Sequence, residues 1–227
     1  MNAQEAREIH DELWKKRIKE GTGLNEANIS ALSLLPESIE GKKILEIGSG
    51  TGDLLVELKK RGAWVQGTDI SRVACTEAEK RGIGTINIDL NEKLPFSMGS
   101  FDLVISIQVL MHLYGPQAML LEMARVSGEN VLVNVPNHLW WRNRLKLLVG
   151  NVPRIISPQG GHLRMFSYGS ARKMIESAGL EIEKEAFTGT FPLSRRLPMQ
   201  KGLDGLVKEW PSALATGFSF LCKKVKK

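Results

Sequence analysis

The sequence predicts an α/β protein built on a mostly parallel sheet of seven strands with helices on both faces. Three observations point there. From residue 43 to residue 136, short β-branched or leucine-rich runs alternate with stretches of helical period. One run, Phe101–Ile107, is nearly continuously apolar, as expected of a central parallel strand covered on both sides. The first run, Lys43–Ile47, ends in a glycine cluster that opens directly into a helical pattern.

The elements follow in order. Residues 3–19 and 25–35 read as helices parted by Gly21-Thr22-Gly23, with Asn25 as an N-cap. Residues 1–40 are therefore expected to form an N-terminal helical cap on a domain spanning 41–227. After Lys43–Ile47 come a helix over Asp53–Arg61, a strand over Trp64–Asp69 and a helix capped by Ser71 that runs to about Arg81. Strands follow at Gly84–Ile88 and Phe101–Ile107, then a helix near Gln117–Val126 and a strand at Asn130–Val135. Beyond Pro136 the alternation lapses for some 30 residues. It resumes with a helix near Ser170–Ala178, a strand over Leu180–Phe187 and a last strand near Ala215–Lys223.

Composition narrows the function classes. The chain has 227 residues, 42% of them apolar and 25% charged, which suits one domain with a real core. A disordered chain, a collagen-like fibre and a disulfide scaffold are excluded. The net charge of +6 is unevenly placed. Residues 1–129 carry 15 basic and 19 acidic side chains, a balance of −4, and residues 176–227 carry nine and six, a balance of +3. Between them, residues 130–175 carry seven basic side chains and no acid: Arg142, Arg144, Lys146, Arg154, Arg164, Arg172 and Lys173. The lapse in alternation thus coincides with a basic insertion at about 137–165. Cys75 and Cys222 stand alone, with no CxxC and no metal-ligand spacing, so both are expected in the core and no metal is expected. The N-terminus is charged throughout and lacks an apolar signal region, so a cytoplasmic location is expected. Lys223-Lys224-Val-Lys226-Lys227 reads as a solubilising tail.

The chemistry begins at Glu46-Ile-Gly48-Ser-Gly50-Thr-Gly52. The spacing is E-x-G-x-G-x-G, and Asp53 fills the position where a dinucleotide fingerprint needs glycine. An acid at a helix N-terminus is a poor neighbour for a pyrophosphate. A carboxylate beside such a loop suits a ligand that carries an amino group and a cation. Acids then recur at later strand ends: Asp69, able to accept both hydroxyls of a ribose, and Asp89, placed to meet an adenine amino group.

With Phe101-Asp102-Leu-Val-Ile-Ser-Ile107 as a fourth motif after these three, residues 40–136 resemble the class I S-adenosylmethionine-dependent methyltransferases. The resemblance implies a Rossmann-like class I methyltransferase fold and S-adenosylmethionine as cofactor. It implies that Glu46 and the Gly48, Gly50 and Gly52 loop hold the methionine part and that Asp69 holds the ribose. Ile70 would pack on adenine, the Asp89-Leu90 pair would bind its edge, and the fourth motif would close the site at Ile107. A narrower resemblance lies in Gly52-Asp-Leu-Leu55 and in Val135-Pro-Asn137 through Trp141-Arg-Asn-Arg-Leu145 to Gly150, which look like the methionine biosynthesis protein MetW family. His162-Leu163 matches that family's I-H-L element, but the Trp-Tyr-Asp before it is replaced by Ser157-Pro-Gln-Gly-Gly. This likeness implies an alternative role, an S-adenosylmethionine-binding accessory protein that regulates a homoserine acyltransferase.

Two histidines are candidate catalytic bases. His112 lies just past the fourth strand, and His162 ends the insertion with Arg164 two residues on. The bland readings are packing for His112 and a loop contact for His162. His10 and His138 offer no constellation. In the insertion, Trp141, Leu145, Leu148 and Val152 fall on one helical face, with Arg142 and Lys146 beside it. Four roles fit: a lid over a small anionic acceptor, a docking surface for a partner, a peripheral membrane contact over 139–152, or a solvated face. Nucleic acid is disfavoured because no reader motif accompanies the charge.

Overall fold

The computed structural model describes residues 3–157, 161–189 and 200–225. Two N-terminal helices, α1 (Ala3–Glu20) and α2 (Glu26–Leu32), precede β1 (Lys43–Ile47), α3 (Asp53–Lys60), β2 (Trp64–Asp69), α4 (Arg72–Lys80) and β3 (Gly84–Asn87). Then come β4 (Phe101–Ile107), α5 (Pro116–Val126), β5 (Ser127–Pro136), α6 (Trp141–Leu148), α7 (Tyr168–Ser177), β6 (Leu180–Thr188), α8 (Gln200–Glu209), α9 (Pro211–Leu214) and β7 (Gly217–Lys224). The seven strands form one sheet in the order β3-β2-β1-β4-β5-β7-β6. Strands β1 to β5 pair in parallel, and β7 runs antiparallel to both of its neighbours.

Alternation of side chains builds two cores, one on each face. Leu45, Ile47, Val104, Val131, Val133 and Val135 point to the face covered by Met119, Leu120 and Met123 of α5 and by Ala171 and Ile175 of α7. Ile44, Leu103, Ile105, Ile107 and Leu132 point the other way, against Leu54, Leu55 and Leu58 of α3 and Ala31 of α2. This two-sided burial is why β4 reads as an unbroken apolar run. Cys75 and Cys222 are buried thiols, as expected.

Helix starts follow local chemistry. Asn25 accepts from the Asn28 N–H while the Asn28 side chain accepts from the Asn25 N–H, a reciprocal cap that stabilises α2 by about 1 kcal/mol. Ser71 caps α4 by accepting from the Ala74 N–H, and Pro116 opens α5.

Several expectations shift. The helix predicted over 25–35 stops at Leu32, because Pro36 pushes the residue before it away from helical geometry. The two helices of the expected cap divide their contacts, α1 packing on α4 and α2 on the sheet at β5, β6 and β7. Val152 does not share a face with Trp141, Leu145 and Leu148. Gly150, at φ 77°, ends α6 in a left-handed turn, and the Asn151 N–H bonds back to the Lys146 carbonyl at 2.8 Å. Lys223 and Lys224 belong to β7 rather than to a tail. Lys223 pairs with Glu181 and Glu183, and the Lys224 ammonium donates to the Ser127 carbonyl. Lys226 and Lys227 lie outside the described residues, as do residues 158–160 of the insertion.

Candidate ligand and catalytic site

The strand order reverses between β1 and β4, and the carboxyl ends of strands at such a switch point are where open α/β sheets take ligands. The glycine loop occupies that edge. Gly48, Gly50 and Gly52 all lie at positive φ, 65°, 54° and 74°. Two of them also meet close neighbours. A Cβ on Gly48 would stand 2.3 Å from Val109 Cγ2, and one on Gly50 would stand 2.3 Å from Trp14 Cζ2. Glycine is required here both by backbone angle and by space.

Three acids surround the loop and do different things. Glu46, the penultimate residue of β1, is 3% exposed, and its Oε2 has no hydrogen-bond partner. Burial pushes its carboxyl well above the ordinary value, with the charges of Asp69 and Asp53 adding to the effect. Asp69, at the end of β2, is a clasp. Its Oδ2 accepts from the Gly50 N–H and its Oδ1 from the Ser71 N–H, both at 2.9 Å. Burial raises its pKa, and these backbone donors work against the rise. Asp53 ties the loop from outside, accepting from Thr51 Oγ1 at 2.8 Å and from the Arg81 guanidinium at 2.7 Å. Its place at the head of α3 is thus explained by the loop it holds.

The remaining predicted residues frame the same edge. Asn87 Nδ2 donates to the Asp69 and Ile70 carbonyls and fixes the β2 end, with Ile70 half-buried. Asp89 Oδ1 accepts from the Asn91 backbone and side-chain amides, both at 2.9 Å, so one of its oxygens serves a turn. Leu90 and Ile107 are core residues of opposite faces.

Helix α1 closes over this edge. Asp11 Oδ1 accepts from Ser71 Oγ at 2.5 Å and from the Val73 N–H at 3.2 Å, docking α1 on the start of α4. One turn on, Trp14 lies over Gly50. One residue before Asp11, His10 faces the ring of His112, centroids 5.9 Å apart.

That contact begins a chain containing all four histidines of the protein. His112 and His162 lie 5.0 Å apart and His162 and His138 5.1 Å apart, centroid to centroid. The expectation that His10 and His138 stand outside any constellation is therefore wrong. Helix α1, the turn after β4, the end of β5 and the end of the insertion each deliver one ring. Burial lowers the basicity of all four, and it takes His162 to about 4 with help from the neighbouring His112 and His138. The rings are accordingly neutral at physiological pH. Among the described residues, no group of His, Cys, Asp or Glu is placed to hold a metal ion.

Backbone strain marks the same place. Gln108, just after β4, has φ 57° without being glycine, and its Nε2 donates to Asn134 Oδ1 at 2.5 Å. Asn134 Nδ2 donates in turn to Ser219 Oγ, and Ser219 meets Ser30 of α2, both hydroxyls buried. In the sequence this network is marked only by polar residues closing an apolar strand, Asn134, Asn137 and His138, all of which the fold buries.

The insertion's cations divide by role. Arg144 donates to the Leu139 and Ser212 carbonyls and Arg164 to the Tyr114 carbonyl, so both hold the insertion to the body. Arg142 stacks over Trp140 and Trp141. Helix α6 buries no residue, and Leu145, Leu147 and Leu148 are exposed beside Lys146.

Comparison with known proteins sets this geometry in a family. The profile of "Methionine biosynthesis protein MetW" matches residues 31–158, more than half of the chain. A demethylmenaquinone methyltransferase of Corynebacterium efficiens is 32% identical over 117 residues, 52% of this chain and 44% of that protein. A ubiquinone biosynthesis O-methyltransferase of Hahella chejuensis is 28% identical over 122 residues, 50% of this chain and 51% of that protein. The chain thus spans about half the length of these curated relatives. In three dimensions, magnesium protoporphyrin IX methyltransferase of Synechocystis, solved with bound SAH, superimposes with a TM-score of 0.71 at 17% identity, over 99% of this chain and 100% of that one. Such a likeness establishes a Rossmann-like class I methyltransferase fold. The family match covers β1 to β5 and α6, the very elements that carry the glycine loop, the acids and two of the histidines, and the chain belongs to the methionine biosynthesis protein MetW family.

Proposed function

We propose that the protein is an S-adenosylmethionine-dependent methyltransferase acting on a small anionic acceptor. The observation that carries this reading is the buried Glu46 carboxyl, whose Oε2 has no hydrogen-bond partner, beside three left-handed glycines. A buried acid without a donor suits a ligand that brings a cation and an amino group, and the glycines leave backbone where side chains would intrude. In this reading Gly48, Gly50 and Gly52 cradle the methionine part, and the unused lone pairs of Asp69 accept the ribose hydroxyls. Ile70 and the Asp89-Leu90 pair bound the adenine, and Ile107 closes the site at the end of β4. S-adenosylmethionine supplies a methyl already activated on a sulfonium, so the protein's share is alignment, exclusion of water and removal of a proton. His112 and His162 stand where that proton would leave. Related proteins named as O-methyltransferases favour an oxygen as the accepting atom.

Titration calorimetry with S-adenosylmethionine tests this directly, and absence of binding would overturn it. A proton adds a second test. A cationic ligand favours the Glu46 carboxylate, so binding lowers a raised pKa and releases a proton. Affinity should rise with pH up to the unliganded Glu46 pKa and then level off. Glu46→Gln should remove that pH dependence and weaken binding by roughly 10- to 100-fold, the worth of a charge-assisted hydrogen bond. Unchanged proton release in Glu46→Gln would assign the proton elsewhere.

Family membership favours one further reading, an accessory role in which the protein binds S-adenosylmethionine and regulates a homoserine acyltransferase. S-adenosylhomocysteine formation across an acceptor panel, set against co-purification of an acyltransferase, separates the two. Helix α6 bears on delivery of the acceptor. Exposed leucines beside Arg142 and Lys146, in a segment without acids, suit an anionic lipid surface. Sedimentation with vesicles containing anionic lipid should carry the protein down in low salt, and Leu148→Glu should abolish it. No salt-sensitive sedimentation with the anionic vesicles would discard the lipid contact.

A further inference from the structure

The histidine chain holds more information than proximity, because its partners dictate where each proton sits. His112 Nδ1 lies 2.9 Å from the Gly161 carbonyl oxygen, which can only accept, so His112 carries its proton on Nδ1. When neutral, it therefore has a lone pair on Nε2. The Phe166 backbone N–H donates to His138 Nδ1 at 3.0 Å, so His138 carries its proton on Nε2. That Nε2 lies 2.9 Å from His162 Nδ1, which must accept. His162 in turn carries its proton on Nε2. The backbone reinforces the arrangement, since the His138 N–H donates to the Phe166 carbonyl at 3.0 Å and Asn143 Nδ2 donates to the His138 carbonyl at 3.1 Å. His138 itself is 1% exposed.

We propose that His112 and His162 form a pair of opposite tautomers, an Nε2 acceptor beside an Nε2–H donor, and that His138 is the positioning residue that sets the donor. The inference rests on the methyltransferase reading for its chemistry. An acceptor hydroxyl must lose its proton as it becomes an ether. His112 Nε2 would take that proton, and the electron pair left by the O–H bond would form the bond to the methyl carbon as the methyl–sulfur bond breaks, its pair staying on the sulfur that leaves as the neutral thioether of S-adenosylhomocysteine. His162 Nε2–H meanwhile donates to a neighbouring acceptor oxygen. This sorts acceptors. A hydroxyl beside a second oxygen, such as a catechol or a hydroxy acid, satisfies both rings, whereas a lone amine leaves the His162 donor without a partner. The dipeptide Gly161-His162 supplies both the carbonyl that orients one ring and the second ring itself, so one short segment fixes the pair.

The charged and titratable groups facing the four rings are few. Arg17 and Asp11 act on His10 from α1, Arg17 and His10 act on His112, His112 acts on His138, and His112 and His138 both act on His162. None is an acid placed to hold His162 protonated. Its lowered basicity, to about 4, keeps it a neutral donor through the physiological range.

Long-range 1H–15N spectra of the full-length protein labelled with 15N-histidine read the tautomers directly. The chain has four histidines, assignable by single substitutions. At pH 7.5, His112 should appear as the Nδ1–H form, and His138 and His162 as Nε2–H forms. In His138→Phe, His162 should lose its single tautomer and become a mixture while His112 keeps its own. His138→Gln retains an amide donor towards His162 and should restore the Nε2–H form. The wild-type spectrum is decisive even if a variant fails to fold: His162 found as Nδ1–H, or His112 as Nε2–H, overturns the proposal. So does His138→Phe with His162 unchanged. These readouts need neither cofactor nor acceptor. Failure to bind S-adenosylmethionine with the tautomers as stated would overturn the methyltransferase reading alone, whereas binding with different tautomers would overturn this one.

Discussion

Replacing His112 with phenylalanine is expected to lower turnover by about 10²–10⁴-fold, the usual worth of a positioned general base. S-adenosylmethionine affinity should stay within a few-fold, because the ring bonds to Gly161 and packs on His10 and His162 rather than on the glycine loop's acids. Phenylalanine preserves the half-buried ring, its edge contacts with His10 and His162, and hence most of the packing. It removes Nε2 and the Nδ1 bond to Gly161. The measurement is S-adenosylhomocysteine formation on whichever acceptor of the panel turns over, alongside calorimetry for cofactor binding. In the wild type the rate should fall as pH drops through the His112 pKa, which burial has moved below 6.5, since protonation removes the base. A His112→Phe protein with unchanged rate and unchanged acid limb would show that His112 only packs.

Gly50→Val should have the largest effect on cofactor binding. Valine at φ 54° incurs about 1–2 kcal/mol of backbone strain before any contact is counted. Its Cβ would also lie 2.3 and 2.4 Å from two atoms of the Trp14 indole, so α1 must move off the loop. The Gly50 N–H that donates to Asp69 would be displaced with it. Loss of detectable S-adenosylmethionine binding and a lower thermal midpoint are expected. A double-mutant cycle separates the two causes. In a Trp14→Ala background the contact is gone, and only the backbone strain should remain. A Gly50→Val protein that binds normally would mean that α1 does not seat on this loop.

Much of this could be read from the chain. β2 and β4 begin and end where the sequence places them, because strand signals are local: a period of two or an apolar run, bounded by glycine or a capping residue. The caps at Asn25 and Ser71 and the glycine turn are local in the same sense. The acids at the ends of β1 and β2 were legible because a parallel sheet brings every strand's carboxyl end to one edge, so position within a strand foretells position in the fold. The insertion was less legible. Its helical face ran on to Val152 in the sequence, but Gly150 turns the chain away after Leu148, and hydrophobic period alone does not register a left-handed residue.

By itself, then, the sequence determined the strands of the sheet and the acids that stand at their carboxyl ends, since each depends on neighbours within a few residues. Only the tertiary structure decided which side chains meet across that edge. Trp14 reaches Gly50, Arg81 reaches Asp53, and His10, His112, His138 and His162 arrive from four separate segments to stand ring to ring. Nothing local marks those encounters. Crossover connections set them by how far each helix carries the chain before it returns, and the bonds that orient His112 and His138 come from a carbonyl and an amide that no spacing rule connects to them.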